Sequence, residues 1–179
     1  MRKVIGLMSN RQFEVRFEKA EVKDLPRLST LAAEIWRASY PGIISGDQIE
    51  YMLTMMYDVD VLRRDMAEGI RYDIATIDGE WIGFAGYGPT PVPGEVKLHK
   101  LYLRKEYQGA GVGSAILQHV MREAVEQGHK TMILNVNKGN ARAIRAYERA
   151  GFIVKESVVV DIGGGYVMDD YVMTRPLSG

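Results

Sequence analysis

Short apolar runs of strand length alternate along this chain with longer amphipathic segments of helical period. Alternating or continuous apolar runs indicate strands, whereas apolar positions three and four residues apart indicate one face of a helix. The predicted strands are Phe13–Phe17, Tyr72–Ile77, Glu80–Tyr87, Val96–Leu103, Thr131–Val136, Phe152–Val160 and Tyr166–Thr174. The predicted helices are Asp24–Tyr40, Ser45–Glu68, Val112–Gln127 and Asn140–Ala150. The order β-α-α-β-β-β-α-β-α-β-β predicts an α/β fold with a mixed sheet of about seven strands and about four helices.

Turn and cap residues support these boundaries. Asp78-Gly79 lies between two apolar runs and predicts a tight β-hairpin. Asn140 is a favourable helix N-cap, and Gly151 follows the same helix at a position where left-handed backbone is common.

Length and composition narrow the class of protein. A chain of 179 residues predicts a single domain at residues 13–179, preceded by an N-terminal extension at residues 1–12. The net charge of zero argues against a dedicated nucleic-acid binder. The absence of cysteine excludes disulfides, thiolate metal sites and a cysteine nucleophile. The histidines at 99, 119 and 129 lack metal-ligand spacing, so no metal is expected. No apolar run reaches the roughly 18 residues of a membrane span, so we expect no membrane partner and a cytoplasmic location.

The most informative segment is a glycine-rich loop between a predicted strand and a predicted helix. Glycines let backbone N–H groups approach a ligand, and a helix N-terminus favours a phosphate. A P-loop is excluded because no lysine precedes Ser114, and the dinucleotide fingerprint fails because Ser114 replaces its third glycine. A tight turn without a ligand is the remaining structural alternative. The residues of this loop are Gln108, Gly109, Ala110, Gly111, Val112, Gly113 and Ser114.

Two motifs in this chain carry a family resemblance. Gln108, Gly111 and Gly113 match the pattern Gln/Arg-x-x-Gly-x-Gly/Ala. Asn140–Phe152 matches Asn-x-x-Ala-x-x-x-Tyr-x-x-x-Gly-Phe. With both motifs in order, the chain resembles the GNAT superfamily of acetyl-CoA-dependent N-acetyltransferases. The resemblance implies a GNAT-like fold, with acetyl-CoA as co-substrate held between two splayed central strands.

The same resemblance implies which residues contact the cofactor. The backbone of Leu101, Tyr102 and Leu103 would pair with the pantetheine arm, and the loop from Gly109 to Ser114 would hold the pyrophosphate. Asn140 would contact pantetheine, although its capping role alone also explains it. A further possibility is contact between the CoA 3′-phosphate and three arginines, for which a solvated charged face is the favoured alternative: Arg142, Arg145 and Arg149.

The resemblance also implies catalytic roles. Tyr147 would act as the general acid that protonates the departing thiolate, which its pKa of about 10 permits. The alternative for Tyr147 is packing on the apolar face of its helix. His99 would take the amine proton, or would be a strand histidine with a structural hydrogen bond; Glu95 is a weaker candidate. Lys97 departs from the family pattern because it stands where other members carry a carboxylate or histidine base.

We therefore predict an N-acetyltransferase that transfers an acetyl group to a primary amine of a small molecule, such as a polyamine. Transfer would be direct within a ternary complex, because the chain has no cysteine to carry an acyl group. The alternatives are a protein or peptide acetyltransferase and a non-catalytic acetyl-CoA-binding module. A homodimer is expected only because the chain resembles a family whose members form homodimers. The residues expected to attract a cationic acceptor are Glu34, Asp47, Glu50, Tyr40, Tyr51 and Tyr171.

Overall fold

The computed structural model describes residues 4–8 and 11–178, with side chains from residue 14 onward. The chain divides into two compact units. Unit 1 comprises Met1–Tyr87 with Lys100–Val120, and unit 2 comprises Gly88–His99 with Met121–Gly179. Three elements contribute residues to both units: the strands β4 (Glu80–Pro89) and β5 (Glu95–Leu103) and the helix α4 (Val112–Glu126).

Unit 1 combines antiparallel strands with three consecutive helices. Its strand order is β1-β2-β3-β4-β5, with antiparallel pairing from β1 to β4. The apolar face of the first helix, including Leu28, Ile35 and Trp36, is buried and forms much of the core. The remaining elements of this unit are β1 (Val4–Met8), β2 (Arg11–Lys19), α1 (Leu25–Ser39), α2 (Gly46–Tyr57), α3 (Val59–Ala67) and β3 (Arg71–Ile77), with short 3-10 helices at Val22–Asp24 and Lys105–Tyr107.

Unit 2 contains a mixed sheet in the order β5-β6-β8-β7. Glu95–Leu98 pairs in parallel with Thr131–Leu134, whereas the other two strand pairs are antiparallel. Its core includes Leu98, Met132 and Met173, all almost fully buried. The elements confined to this unit are β6 (Thr131–Asn137), α5 (Ala141–Arg149), β7 (Ile153–Gly163) and β8 (Tyr166–Pro176).

The predicted α/β class and all seven predicted strands are confirmed, but two elements differ from the prediction. The single helix predicted from Ser45 to Glu68 is wrong, because Asp58 adopts ψ 141° and ends α2. The Asp58 carboxylate then accepts the backbone N–H of Asp60 at 2.9 Å and caps α3, so the described part of the chain has five α-helices. A short polar side chain can thus compete with the helical backbone.

An additional strand, β1, lies within the predicted N-terminal extension. It pairs antiparallel with β2, with Val4 opposite Val15. Residues 1–3, 9 and 10 of that extension lie outside the described residues. The extension at 1–12 and the single domain at 13–179 therefore stay predictions. Among the helices of the described chain, none combines the length and apolar composition needed to cross a membrane.

Candidate active site

The glycine-rich loop joins the end of β5 to α4 by way of left-handed backbone. Gly109 has φ 82° and Gly111 has φ 80°, a region that residues with a Cβ atom rarely adopt. Helix α4 begins at Val112, and the Gly111 carbonyl accepts the Ala115 N–H at 3.0 Å. The loop and the helix start are therefore located where the sequence predicts them.

Gln108 connects this loop by a hydrogen bond to the strand that precedes it. Its side-chain amide donates to the Leu103 carbonyl at 3.2 Å, and its backbone N–H donates to the Lys105 carbonyl at 3.1 Å. Val112 is 1% exposed and anchors the helix start in the core. This anchoring leaves Gly111 and Ser114 on the outside of the turn.

The first turn of α4 has the properties of an anion site. A Cβ atom built at Gly111 or Gly113 would meet nothing within 4 Å, so the space beside both glycines is open. The first N–H groups of a helix have no acceptor within the helix, and the helix dipole adds partial positive charge there. The turn can therefore surround a phosphate with backbone N–H groups.

The strand segment before the loop depends on a glycine that the sequence prediction did not identify. A Cβ atom at Gly83 in β4 would lie 2.6 Å from the Tyr102 carbonyl oxygen and 3.3 Å from the Leu103 Cα. Only glycine permits this close approach of β4 to β5. Gly83 therefore determines the position of the Leu101–Leu103 backbone, the predicted pantetheine-binding segment.

An aromatic cluster surrounds the side chain of Tyr102. The Tyr102 ring lies 5.5 Å from Trp36, 6.1 Å from Tyr57 and 5.7 Å from Phe84, and Tyr40 stacks on Trp36 at 4.3 Å. The Trp36 indole N–H donates to the Tyr57 hydroxyl at 3.2 Å. Burial raises the pKa of both Tyr57 and Tyr102, so these hydroxyls stay protonated at neutral pH.

Lys100, two residues before Tyr102, lies in a buried ionic network. Its side chain donates to Asp65 at 2.8 Å, to the Tyr72 hydroxyl at 2.7 Å and to the Met56 carbonyl at 3.2 Å. Burial lowers the pKa of Lys100, and the carboxylate of Asp65 opposes that effect. The network connects β5 to α2 and α3. The sequence contains a signal for this network, because side chains alternate along β5 and Lys100 therefore shares a strand face with buried Leu98.

His119 has a structural role in the core of unit 1. It is 8% exposed, its Nε2 lies 2.8 Å from Asp73 Oδ2, and its ring stacks on Phe17 at 4.1 Å. The same Asp73 oxygen accepts the Tyr87 hydroxyl at 2.7 Å. These contacts join α4 to β2, β3 and β4 within unit 1.

Most residues expected to attract a cationic acceptor already have partners. Glu50 forms a bidentate pair with Arg37 at 2.7 and 2.8 Å, and Glu34 pairs with Arg104 at 2.8 Å. In unit 2 the ammonium of Lys138 lies 5.4 Å from the centre of the Tyr171 ring. The negative charge of Glu34 and Glu50 is therefore largely neutralised by the chain itself.

Asn140 and Tyr147 lie on the same helix of unit 2. The Asn140 side chain accepts the Ala143 N–H at 3.2 Å and caps α5, which confirms the predicted cap. Tyr147 is half-buried, and its ring meets Phe152 edge-on at 5.7 Å. The end of α5 is held by Arg175, which donates to the Ala150 carbonyl, and by Gly151 at φ 87°. The motif Asn140–Phe152 thus forms one capped helix and its exit turn.

His99 and Lys97 lie on one face of the unit 2 sheet. Directly paired residues share a face, and the register runs from Lys97 to Ile133 and from Asn137 to Asp170. Alternation along each strand therefore places Lys97, His99 and Asp170 on that face. His99 is exposed, and so are three arginines of α5, consistent with the solvated face favoured for them: Arg142, Arg145 and Arg149.

Asp170 is a candidate functional residue that the sequence prediction did not include. It is 3% exposed, and burial raises its pKa above the ordinary value of 3.8. A hydrogen bond from Asn135 and the positive charges of Lys97 and Lys138 oppose that effect only in part. Buried acids with raised pKa are common at functional sites. The sequence signal that could have identified Asp170 is the alternation along its strand, which places this acidic residue among core residues.

The predicted site residues therefore fall into two groups. In unit 1, Leu101–Leu103 and Gln108–Ser114 are joined by the hydrogen bond from Gln108 to Leu103. In unit 2, Asn140 and Tyr147 share α5, while His99 lies on β5.

The chain is similar in sequence to known acetyltransferases. Residues 30–152 match the acetyltransferase (GNAT) family model. A spermidine N(1)-acetyltransferase of Thermoplasma acidophilum is 25% identical over 148 residues, covering 80% of this chain and 91% of that protein. An uncharacterized N-acetyltransferase of Mycobacterium bovis is 36% identical over 83 residues, covering 46% of this chain and 53% of that protein. This chain thus spans about half the length of the latter relative.

A solved structure has the same fold. The PaiA N-acetyltransferase of Thermoplasma acidophilum, in complex with coenzyme A, superposes with a TM-score of 0.76 at 24% identity. The superposition covers 90% of this chain and 98% of that one. Because the family model spans most of the sequence and includes both motifs, the chain belongs to the acetyltransferase (GNAT) family.

Proposed function

We propose that this protein is an acetyl-CoA-dependent N-acetyltransferase that acetylates a primary amine of a small molecule. The observation that carries the proposal is the turn at Gly109–Ser114. Its two left-handed glycines, its open side and the N-terminus of α4 suit a pyrophosphate. These residues would hold the phosphates of acetyl-CoA, and the Leu101–Leu103 backbone would pair with its pantetheine arm. The cofactor supplies the thioester that is attacked.

The chemistry requires a neutral amine, a stabilised oxyanion and a proton for the leaving group. A lysine-like amine has a pKa near 10.4, so its deprotonation at pH 7 costs about 4–5 kcal/mol. His99, exposed on its strand, is the proposed proton acceptor. A backbone N–H of Leu101–Leu103 would stabilise the oxyanion, and the Tyr147 hydroxyl would protonate the thiolate.

A polyamine is the proposed acceptor class. Support comes from the relative named as a spermidine acetyltransferase, which aligns with 80% of this chain. The acidic residues of α1 and α2 add little, because Glu34 and Glu50 are paired with arginines. An acceptor cation would have to compete with Arg37 or Arg104 for these carboxylates.

Release of the CoA thiol tests this proposal. Purified protein and acetyl-CoA would be mixed separately with spermidine, spermine, amino acids, aminoglycosides and short peptides. Saturable release with spermidine or spermine supports a polyamine acceptor, and release with another class would replace it. Saturable release confined to peptides would identify a peptide acetyltransferase. Binding of acetyl-CoA without release in any mixture would contradict the proposed small-molecule catalysis.

A further inference from the structure

One face of the unit 2 sheet is polar, whereas the opposite face belongs to the core. Side chains alternate along each strand, so the paired residues Leu98, Leu134 and Met173 share the core face, where all three are buried. A polar sheet face is typical of contact with water or a ligand rather than with a second layer of core residues. By the strand registers, the polar face carries Lys97, His99, Asn135, Asn137, Asp170 and Glu156.

Asp170 is the most deeply buried of these polar residues. It is 3% exposed, whereas Asn137, its partner on the neighbouring strand, is half-buried. Burial of a carboxylate is unfavourable unless a cation or several hydrogen bonds compensate its charge. The nearby ammonium of Lys138 pairs with Asp169 instead, at 2.5 Å, and Lys97 stands four residues away in register with β6 between them. The Asp170 carboxylate therefore has the capacity to bind a further cation.

His99 and Asp170 are separated by a distance that suits two amino groups of one molecule. His99 is one residue beyond Leu98, whose partner on β6 is Leu134. Asp170 pairs with Asn137, three residues beyond Leu134, so it lies two residues further along the sheet than His99. Two strand spacings and two residue rises place the two Cα atoms about 12 Å apart. A flexible chain with two amino groups can span this distance, whereas a monoamine contacts one of the two residues.

We infer that Asp170 is the anionic anchor for the second, non-reacting ammonium of a diamine or polyamine acceptor. This inference rests on the proposed acetylation of a primary amine with His99 as proton acceptor. The reacting amine must be neutral before it attacks, but the second amine stays protonated because its pKa is near 10.4. The Asp170 carboxylate accepts hydrogen bonds from this ammonium, and such charge-assisted bonds are stronger than neutral ones. Asp170 thereby selects acceptors with two cations over monoamines.

The other charges of the polar face favour this orientation of the acceptor. Glu156 pairs with Val172, so it lies diagonal to Asp170 on the same face, and it is exposed. Lys97 lies two residues before His99 on β5, on the side away from Asp170. A second ammonium is therefore attracted toward β7 and β8 and repelled from the Lys97 end of the face.

The test compares 1,4-diaminobutane with butylamine, which has the same carbon chain and lacks one amino group. Thiol release at saturating acetyl-CoA should give the wild type a KM at least about 30-fold lower for the diamine. Asp170→Asn keeps the size of the side chain and removes an under-compensated charge, so the variant is expected to fold. We expect it to raise the KM for the diamine by at least about 30-fold and to abolish the preference. Asp169→Asn, at the exposed neighbouring residue, is the matched control and should keep the preference.

A titration separates this inference from the proposed function. In isothermal titration of 1,4-diaminobutane into the protein saturated with coenzyme A, no turnover occurs. The affinity of Asp170→Asn should be at least about 30-fold below that of the wild type and of Asp169→Asn. A wild type without preference for the diamine, or unchanged diamine affinity in Asp170→Asn, overturns the inference. If no amine releases the thiol, the proposed function fails, and the titration still decides whether Asp170 binds a diamine.

Discussion

The two units differ in how completely the charge of a buried side chain is compensated by its neighbours. In unit 1, Lys100 has an anionic partner at 2.8 Å and two further acceptors, so its positive charge is compensated by direct contacts. In unit 2, Asp170 is equally deep but relies on Asn135 and on lysines further away, so its pKa is raised. A compensated charge contributes to a rigid scaffold, whereas an under-compensated one reduces stability and is more often retained for function.

The two units also differ in the groups that the proposed chemistry would use. The loop of unit 1 presents backbone N–H groups, which its glycines and Gln108 position. Helix α5 of unit 2 presents side chains, with Asn140 and Tyr147 held by a cap and by contact with Phe152. Substitutions in unit 1 should therefore alter stability or binding, whereas substitutions in unit 2 should alter turnover or proton affinity.

The largest effect is expected from Lys100→Met. This change leaves Asp65 and the Tyr72 hydroxyl without their cation and lowers the free energy of unfolding by about 3 kcal/mol. The measurement is urea denaturation at neutral pH. Lys138→Met is the matched control, because Lys138 and Asp169 form a partly exposed pair worth about 0–1 kcal/mol. Equal losses in both variants would contradict the distinction between the two units.

Gly111→Asp should come next, through binding rather than folding. A residue with a Cβ atom at φ 80° is strained by about 1–2 kcal/mol, and its carboxylate repels a phosphate. We expect acetyl-CoA affinity to fall at least about 100-fold in isothermal titration. Gly79→Asp carries the same φ of 80° in the β3–β4 turn and controls for strain alone. Wild-type affinity in Gly111→Asp would remove the loop from the cofactor site.

Tyr147→Phe should lower turnover by about 100-fold while acetyl-CoA affinity stays unchanged. The phenylalanine ring keeps the edge-on contact with Phe152, so only the hydroxyl is lost. Steady-state thiol release and titration of acetyl-CoA separate the two quantities. Tyr166→Phe, on β8, is the control for removal of a tyrosine hydroxyl in the same unit. Undiminished turnover in Tyr147→Phe would leave Tyr147 with a packing role only.

Asp170→Asn should give the smallest effect on stability and one of opposite sign. Because the folded-state pKa of Asp170 is raised, its burial disfavours folding above that pKa and has no effect below the ordinary value of 3.8. The variant should thus be slightly more stable than the wild type at pH 7 and lose this gain as the pH falls through the raised pKa toward 3.8. Thermal unfolding across pH measures it, with Asp169→Asn as the exposed control. A destabilised Asp170→Asn would show that the carboxylate is compensated after all.

Local chemistry explains why much of the fold was predictable. The Asp78-Gly79 turn adopts φ 50° and 80°, the Asn140 cap is made, and apolar side chains four residues apart along α4 are buried from Val112 to Ala124. The glycine-rich loop was predictable for the same reason, because left-handed backbone favours glycine and the glycines are visible in the sequence. Each of these features depends on residues close together in the chain.

Features that depend on distant residues were not predictable. The contact between Gly83 and Tyr102 and the network of Lys100, Asp65 and Tyr72 join strands and helices that are far apart in sequence. The break at Asp58 was missed because the apolar period continues across it. The pairing of Glu34 and Glu50 with arginines could likewise not be predicted from the sequence. It weakens the prediction that these acidic residues attract a cationic acceptor.

The pairing of β2 with β3 also has a consequence for how unit 1 folds. Lys19 lies opposite Asp73, so this ladder closes a chain segment that contains all of α1, α2 and α3. The β3–β4 hairpin closes over two residues, and hairpins of this kind form in about 1–10 μs. Closing the longer segment costs more chain entropy before any contact compensates for it. We therefore expect the β2–β3 ladder, rather than the hairpin, to set the folding rate of this unit.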